Sequence, residues 1–255
     1  MKRVRVIPTL LIQDSGLVKS VKFSNHKYVG DPINAVKIFN EKEVDEIVIL
    51  DISATREKRG PNVEKIKEIA SEAFMPLGYG GGITQIEEIG QLIMAGVEKV
   101  ILNTSAFNDP GLIKGAAKYV GSQSIVVSID VKKNVWGKYK VYVYNGTRNT
   151  NEDPVSYSMK MEELGAGEIF LNSIDRDGTF SGYDIELIEM VSSKISIPII
   201  AIGGAASVND FSKAIKSGAS AVSAGSMFVF QRPHRAVLIS YPSQSLLREN
   251  LFIND

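Results

Sequence analysis

The segment DPINAVKIFNEKEVDEIVIL, residues 31–50, has a counterpart in DPVSYSMKMEELGAGEIFLN, residues 153–172. The same offset, without a gap, places PLGYGGGI at 76–83 over PIIAIGGA at 198–205. A repeat that keeps one register over this length indicates a duplicated structural unit. Each copy runs from an amphipathic segment into an apolar, β-branched one, which is the pattern of a helix followed by a buried strand. The chain therefore contains two copies of one unit built from alternating helices and strands.

Apolar runs that predict strands alternate with amphipathic runs that predict helices along the chain. The strands are predicted near residues 4–10, 46–51, 75–80, 98–103, 124–131, 167–172, 197–202 and 220–224. The helices are predicted near 32–43, 62–72, 85–94, 110–119, 154–164, 184–193 and 207–217, with a last one after Gln231. Eight such units indicate a parallel sheet covered by helices. An open doubly wound sheet has the same local pattern, but the duplication favours a closed (β/α)8 TIM barrel built from two half-barrels.

The length of the chain suits one domain, because a barrel of this kind typically needs about 250 residues. We expect residues 1–255 to form a single barrel. Residues 132–146 interrupt the alternation after the fifth strand, and the pattern KYKVYVY followed by Asn-Gly predicts an inserted β-hairpin. Such a hairpin is either ordinary loop decoration or part of the working face, which barrels build from these loops.

Composition excludes several classes of function. Basic and acidic residues both number 29, so no global field would attract nucleic acid or an anionic membrane. The chain has no cysteine, which excludes disulfides and thiolate metal sites. No spacing of other ligands suggests a metal, and we predict neither a metal nor a cofactor. Without a targeting leader or a long apolar run, a cytoplasmic location is expected.

Glycine-rich segments follow four of the predicted strands. GYGGGI at 78–83 and NTSAF at 103–107 are duplicated as IGGA at 202–205 and AGSMF at 224–228. Glycine lets a phosphate approach the backbone, and free N–H groups at a helix start bind the anion. Glycines also serve tight turns, but their repetition beside a hydroxyl residue in each half favours phosphate binding. Two such sites, half a barrel apart, predict a ligand with a phosphate at each end.

Charged residues occupy the starts of four predicted strands. They are Arg5, Glu46, Lys99 and Glu168. Strand starts face the bottom of a barrel, away from the face that carries the chemistry. If strand parity turns these residues inward, two cations and two anions meet in a low-dielectric interior, where charges persist only when paired. On spacing alone, the cluster is best explained as a salt-bridged plug in the barrel floor.

Several motifs resemble the cyclase subunit of imidazole glycerol phosphate synthase. They are DPINAVKIFNEKEVDEIVILDI, PLGYGGGI, NTSAF, VVSIDVKK, GAGEIFLNSIDRDGTFSGYD and IGGAASVNDF. The resemblance runs from about residue 3 to residue 230, and SIDRDGTFSGYD is its most specific segment. It implies that ammonia from a glutaminase subunit, bound at the bottom face, passes through the barrel. At the top face the ammonia would attack a doubly phosphorylated ribulosyl intermediate.

The resemblance also implies roles for individual residues. The residues that it implies for binding phosphate or substrate are Lys19, Gly82, Asn103, Thr104, Asp177, Gly178, Gly204, Ala224 and Ser226. Lys19 is expected to lie in a mobile loop after the first strand. The four charged residues at strand starts become an ammonia gate rather than a plug. Apolar residues above them would suit neutral ammonia, because ammonium is costly to desolvate.

The resemblance fails at the end of the first strand. The family places two aspartates at the ends of strands one and five, where one charge raises the pKa of the other and separates acid from base. Asp130 matches the aspartate of strand five, but Leu11 stands where the other is expected. Asp14 has the opposite parity and does not replace it. Loss of one acid–base group typically costs about 10²–10⁴ in rate.

Smaller departures and the tail suggest a paralogous branch. Asn172 stands where the family has a threonine, and Ile202 where it usually has a serine. The tail HRAVLISYPSQ, residues 234–244, resembles a branch that accompanies amidotransferases in building acetamidino sugars of surface polysaccharides. Our leading hypothesis is a barrel that pairs with a glutaminase and channels ammonia, and that has a sugar amidotransferase as a further partner. The alternatives are a histidine-pathway cyclase subunit, and a purely structural or regulatory partner of a glutaminase.

Overall fold

Eight parallel strands form a closed barrel in the computed structural model, which describes residues 4–231, 234 and 236–251. The strands are β1 Arg5–Gln13, β2 Ile47–Asp51, β3 Leu77–Gly80, β4 Lys99–Leu102, β5 Ile125–Lys133, β6 Glu168–Ser173, β7 Ile199–Ile202 and β8 Ala221–Ala224. Each strand pairs with the next, and β8 pairs in parallel with β1. Full closure satisfies the backbone groups at both edges of the sheet. The predicted TIM barrel is confirmed, and each predicted strand overlaps an observed one.

Helices cover the outside of the barrel. They are α1 Pro32–Glu41, α2 Val63–Ser71, α3 Ile86–Met94, α4 Gly111–Val120, α5 Pro154–Glu163, α6 Ile185–Ser192, α7 Val208–Lys216 and α8 Gln244–Leu251. The large core lies between these helices and the outward side chains of the strands. A second cluster fills the inside of the barrel and consists of Ile7, Val48, Ile101, Val126, Phe170, Ile200, Ile202 and Ala221. Among the described helices, none is long and apolar enough to cross a membrane.

The two halves of the barrel repeat details of the backbone. Asp31 and Asp153 each accept hydrogen bonds from backbone N–H groups at the start of a helix, and a proline follows each of them. Gly82 after β3 and Gly204 after β7 have φ angles of +72° and +103°. Glycine adopts this region at little steric cost. The duplicated sequence therefore gives a duplicated structure.

Two antiparallel ribbons extend from the carboxyl ends of the strands. Gly16–Val21 pairs with the end of β1 and with Ser24–Gly30, so the expectation of a loop after the first strand is wrong. The ribbon forms because Leu17 and Val18 are buried on its two faces. Within residues 132–146, the strand Tyr139–Val143 pairs with the end of β5. Both ribbons thus lie beside the face on which barrels carry their chemistry.

We expect Phe39→Ala to lower the free energy of unfolding by about 3–5 kcal/mol, because it opens a cavity between α1 and the barrel. Phe39 is fully buried, whereas Phe74 is 87% exposed and provides a matched control. Phe74→Ala should change the same quantity by less than about 0.5 kcal/mol. Urea unfolding followed by circular dichroism measures both variants. Equal losses would contradict the described core.

Candidate functional site

A cavity of about 820 Å³ lies at the carboxyl ends of the strands. The predicted site residues in its wall are Leu11, Lys19, Gly82, Asn103, Thr104, Asp130, Asp177 and Ser226. Gly178, Gly204 and Ala224 are not in the wall. A Cβ atom added at Gly178 or Gly204 would lie 2.3 Å from a backbone oxygen, so both glycines are needed for close packing behind the cavity. Ala224 is buried in β8, where it is paired with Pro8 of β1.

One side of the cavity is built around Asn103 and Thr104, which follow β4. The Nδ2 of Asn103 donates to the backbone oxygen of Ser128 at 2.9 Å. The hydroxyl of Thr104 donates to Asn103 Oδ1 at 3.2 Å and accepts from the backbone N–H of Tyr144 at 3.0 Å. Tyr144 follows the strand Tyr139–Val143, so the inserted segment forms part of the wall. Gly82 completes this side of the cavity.

Cations on the loop after β2 were not singled out from the sequence. Arg59 makes a bidentate ion pair with Asp51, with contacts of 2.8 and 3.1 Å, and these bonds raise the pKa of Arg59 further. Arg56 and Lys58 are exposed at the mouth of the same cavity. The run TREKRG at residues 55–60, four positions after the end of the predicted strand at 46–51, was the available signal. These cations make this side of the cavity suitable for an anionic group.

The opposite side of the cavity contains Lys19. Its side chain is 5% exposed, and its Nζ donates to the backbone oxygen of Thr9 and lies against Gly225. Burial lowers the pKa of Lys19 to about 8, while the charge of Asp177 acts in the opposite direction. Asp177 accepts from Ser20 Oγ at 3.2 Å, and its backbone oxygen accepts from Lys22. The ribbon after β1 is therefore held against the loop after β6.

Asp130 is a buried carboxylic acid in the cavity wall. Burial raises the pKa of its carboxyl to about 7, although amide donors on both oxygens oppose this effect. Asn172 Nδ2 lies 3.1 Å from Oδ1 of Asp130, and Asn103 Nδ2 lies 3.2 Å from Oδ2. The contribution of β1 to the wall is Thr9 and Leu11. Asp14 is exposed in the following turn and lies outside the cavity wall.

The four charged residues of the strand starts converge inside the barrel floor. We call Arg5, Glu46, Lys99 and Glu168 the charged ring. Arg5 contacts Glu46 at 2.6 Å and Glu168 at 2.5 Å. Lys99 contacts the same two carboxylates at 3.1 and 2.8 Å. Two cations and two anions thus neutralise each other at the opposite end of the barrel from the cavity.

An apolar interior separates the charged ring from the cavity. Ile7, Val48, Ile101 and Phe170 come from the same strands as the ring residues and face inward. Leu50 packs against this cluster and also lines the cavity. Among the described residues, no group of three or more histidine, aspartate or glutamate side chains could hold a metal ion.

The protein is a (β/α)8 barrel with a polar cavity at one end and the charged ring at the other. Comparison with known proteins identifies its family. The chain belongs to the family described as histidine biosynthesis protein, whose model matches residues 5–233. A putative imidazole glycerol phosphate synthase subunit hisF2 of Pseudomonas aeruginosa is 53% identical, over 97% of this chain and 99% of that protein. A putative HisF subunit of Leptospira interrogans is 48% identical, over 96% and 97%. The HisF subunit of Endomicrobium trichonymphae is 46% identical, over 91% and 89%. The chain is a HisF-like member of this family.

The raised pKa of Asp130, about 7, has a consequence for stability. An aspartate in an unfolded chain titrates near about 3.9, so the unfolded state loses this proton first as the pH rises. As the pH rises from the unfolded to the folded pKa of Asp130, this carboxyl therefore lowers the free energy of unfolding progressively. The loss of stability is complete above the folded pKa.

We expect Asp130→Asn to remove this cost. The variant should gain roughly 1–3 kcal/mol relative to wild type as the pH rises from about 4 to about 7. Urea unfolding of both proteins across this range measures the difference. Below about pH 3 the group is mostly protonated in both states, which provides the internal control. A difference that is constant with pH would contradict the raised pKa.

Proposed function

We propose that this HisF-like barrel binds a glutaminase subunit at its N-terminal face and conducts ammonia to the cavity at its top face. We further propose that the ammonia serves the amidination of a surface-polysaccharide sugar by a separate amidotransferase. The observation that carries the proposal is on one strand: β1 keeps Arg5 in the charged ring and has Leu11 in the cavity.

The charged ring supports the role of a gate. Buried ion pairs are often no more stable than apolar side chains of similar volume, so their presence in a barrel floor calls for a functional reason. Arg5 and Lys99 both bridge Glu46 and Glu168, and a shift of either cation leaves the other bridge in place. A ring of this kind can open on one side without leaving all four charges unpaired.

The interior above the ring supports the passage of ammonia rather than of an ion. Ile7, Val48, Ile101 and Phe170 surround the route with apolar side chains. A neutral molecule crosses such a region at little cost, whereas an ammonium ion would have to be desolvated. The route ends at a cavity with polar side chains, where a nitrogen acceptor could approach.

The cavity itself supports a changed chemistry. Leu11 can neither donate nor accept a proton, and the described part of β1 supplies no carboxylate to the wall. Asp130 alone remains from the pair of aspartates that the family resemblance implies. The link to polysaccharide synthesis comes from the resemblance of the tail at residues 234–244, and the flanking genes are a direct check of it.

A histidine-pathway cyclase subunit is the second candidate. Asp130 is retained with a pKa of about 7, a value suited to acid–base work near neutral pH. The cavity also has a cationic or glycine-rich wall on two sides, as a ligand with two phosphates requires. The name of the relative from Endomicrobium trichonymphae is that of an imidazole glycerol phosphate synthase subunit.

We expect the wild-type chain to convert the doubly phosphorylated ribulosyl intermediate poorly when ammonium salt is supplied at alkaline pH. Leu11→Asp should raise this turnover by about 10²–10⁴, because it returns a carboxyl to the end of β1. Loss of substrate absorbance measures the rate. Leu11→Asn has nearly the same shape without the acid and should stay as slow as wild type. Wild-type turnover at the level of an ordinary family member would instead favour the second candidate.

The gate requires a separate test. Lys99→Met leaves Arg5 as the one cation beside two carboxylates, so the ring has a net negative charge. Such a ring retains cations from solution, and a retained cation obstructs the route of neutral ammonia. We expect the glutamine-dependent reaction to fall about tenfold relative to the ammonium-dependent one, while the glutaminase still forms glutamate. Nitrogen transfer is measured with amide-labelled glutamine, and Lys99→Met is tested in a chain that also carries Leu11→Asp. The second readout is the stimulation of the glutaminase by the barrel, measured for Lys99→Met in a chain that retains Leu11.

Lys67→Met is the matched control for the gate experiment, because Lys67 is exposed on α2. It should leave both nitrogen sources equally effective. If Lys99→Met changes neither the ratio of the two reactions nor the stimulation of the glutaminase, the conduit proposal is wrong.

A further inference from the structure

The turn that follows the end of β5 is held by its own backbone and by one asparagine. We call residues 134–138 the hairpin tip. The Oδ1 of Asn134 accepts from the backbone N–H groups of Trp136 and Lys138, both at 3.0 Å. The backbone N–H of Gly137, which has a φ angle of +75°, donates to the backbone oxygen of Asn134 at 2.9 Å. The backbone of the hairpin tip therefore has a defined conformation.

Two apolar side chains at the hairpin tip are exposed without a structural reason. Val135 is 90% exposed, and Trp136, the one tryptophan of the chain, is 81% exposed. Asn134 and Gly137 supply what the turn requires, and turns otherwise favour small or polar side chains. Single exposed apolar residues are common, but tryptophan is enriched among the residues that dominate binding energy at interfaces. The hairpin tip thus has the composition of a binding anchor.

The strands below the hairpin tip carry positive charge that the described residues do not neutralise. Lys132 of β5 lies directly opposite Lys140 of the neighbouring strand. Like charges in opposite positions destabilise an antiparallel pair. Lys140 donates to the backbone oxygen of Asn151 at 2.8 Å, but among the described residues Lys132, Lys138 and Lys140 form no ion pair. An acidic surface placed against these lysines would relieve the repulsion.

The other face of the hairpin is packed and neutralised. The Nζ of Lys133 contacts Glu186 at 3.1 Å and lies 4.5 Å from the ring centroid of Tyr139. The backbone N–H of Lys133 donates to Asp175 at 2.9 Å. This face is therefore held against the start of α6 and the loop before it, and a partner has access to the opposite face.

The accessible face of the hairpin is the one next to the cavity. Asp130 lines the cavity, and alternate residues of a strand share a face, so Lys132 and the opposite Lys140 lie on the cavity side. Tyr144, at the other end of the inserted strand, is in the cavity wall. A strand rises about 3.3 Å per residue, so Asn134 stands about 13 Å beyond Asp130. A partner that covers the mouth of the cavity would contact the hairpin tip and these lysines together.

The small size of the apolar surface favours a protein partner over a lipid bilayer. Membrane-surface anchors are typically helices with a long apolar face, or lipid chains combined with a second signal. Val135 and Trp136 instead form one short projection on a defined turn. Side chains that dominate an interface fill pockets whose surroundings exclude water, and a projection of this size fits such a pocket.

We propose that the hairpin tip is the docking anchor for a protein that presents an apolar pocket with an acidic rim and covers the mouth of the cavity. Val135 and Trp136 enter the pocket, and Lys132, Lys138 and Lys140 face the acidic rim. The identification of this protein as the sugar amidotransferase rests on the proposed function. Docking at this end of the barrel leaves the opposite face, with the charged ring, accessible to a glutaminase.

The probe is the purified sugar amidotransferase encoded nearest to this chain, titrated into the full-length protein. Incorporation of 5-fluorotryptophan gives the chain a single fluorine NMR signal, because Trp136 is its one tryptophan. We expect this signal to shift and saturate as the amidotransferase is added. The signal reports on the hairpin tip itself, so a complex formed elsewhere on the barrel would leave it in place.

Calorimetry with matched variants measures the contribution of the anchor. Trp136→Ala should weaken binding of the amidotransferase by about thirtyfold or more. Tyr119→Ala is the control, because Tyr119 is 63% exposed near the end of α4, at the opposite face of the barrel. It should change the affinity by less than about twofold. Circular dichroism verifies that both variants fold.

A charge-reversal pair measures the contribution of the lysines. Lys132→Glu combined with Lys138→Glu should slow association about tenfold at low salt, and the effect should shrink as salt screens the charges. Lys114→Glu combined with Lys118→Glu makes the same change of charge on α4, where both lysines are exposed, and should have little effect. Biolayer interferometry at several salt concentrations measures the association rates.

Equal affinities of wild type and Trp136→Ala, or no complex with the wild-type chain, would overturn the docking anchor. A shift of the fluorine signal with phosphatidylserine vesicles at physiological salt, in place of a shift with the amidotransferase, would overturn the protein partner in favour of a bilayer. If the Leu11→Asp and Lys99→Met variants behave as expected while Trp136→Ala binds like wild type, the proposed function stands and the docking anchor fails.

Discussion

Neutralisation of buried charge at the barrel floor is the constraint on which the rest of the structure depends. Burial opposes a charge on Arg5, but Glu168 and Glu46 outweigh it and raise the pKa of the guanidinium. Removal of one partner from a buried pair typically costs about 3–5 kcal/mol, because it leaves a charge without compensation. Strands β1, β2, β4 and β6 must therefore start at matching heights. The ion pairs thus determine which residues of these strands face the barrel interior, from the ring to the cavity.

The same strands carry different chemistry at their two ends. β1 runs from Arg5 in the ring to Leu11 in the cavity, and β6 runs from Glu168 to Asn172. A substitution near the carboxyl end of a strand can change the cavity without disturbing the ion pairs below it. That separation explains how Leu11 can coexist with a complete ring, and why we assign transport and proton transfer to separate parts of the barrel.

The sequence predicts what depends on periodicity and repetition. The repeat of residues 31–50 at 153–172 predicts the barrel, and strand parity predicts that Arg5 and its three partners converge. The ribbon after β1 was missed because its second strand, Ser24–Gly30, is polar and mostly exposed and has no apolar run. The contact of Asn172 with Asp130 joins residues on separate strands, so only the closed sheet brings them together. Burial of Lys19 likewise depends on the ribbon folding over the cavity.

Closure of the barrel joins the beginning of the chain to its end. The hydroxyls of Thr9 in β1 and Ser223 in β8 are 2.6 Å apart in space and 214 residues apart in sequence. Pairing over such a separation forms slowly, because the loop entropy is lost before the contact is gained. Until β8 has been synthesised, one side of β1 offers unpaired backbone groups to other chains. The rate at which this seam closes therefore sets how long each newly made chain is exposed to edge-to-edge aggregation.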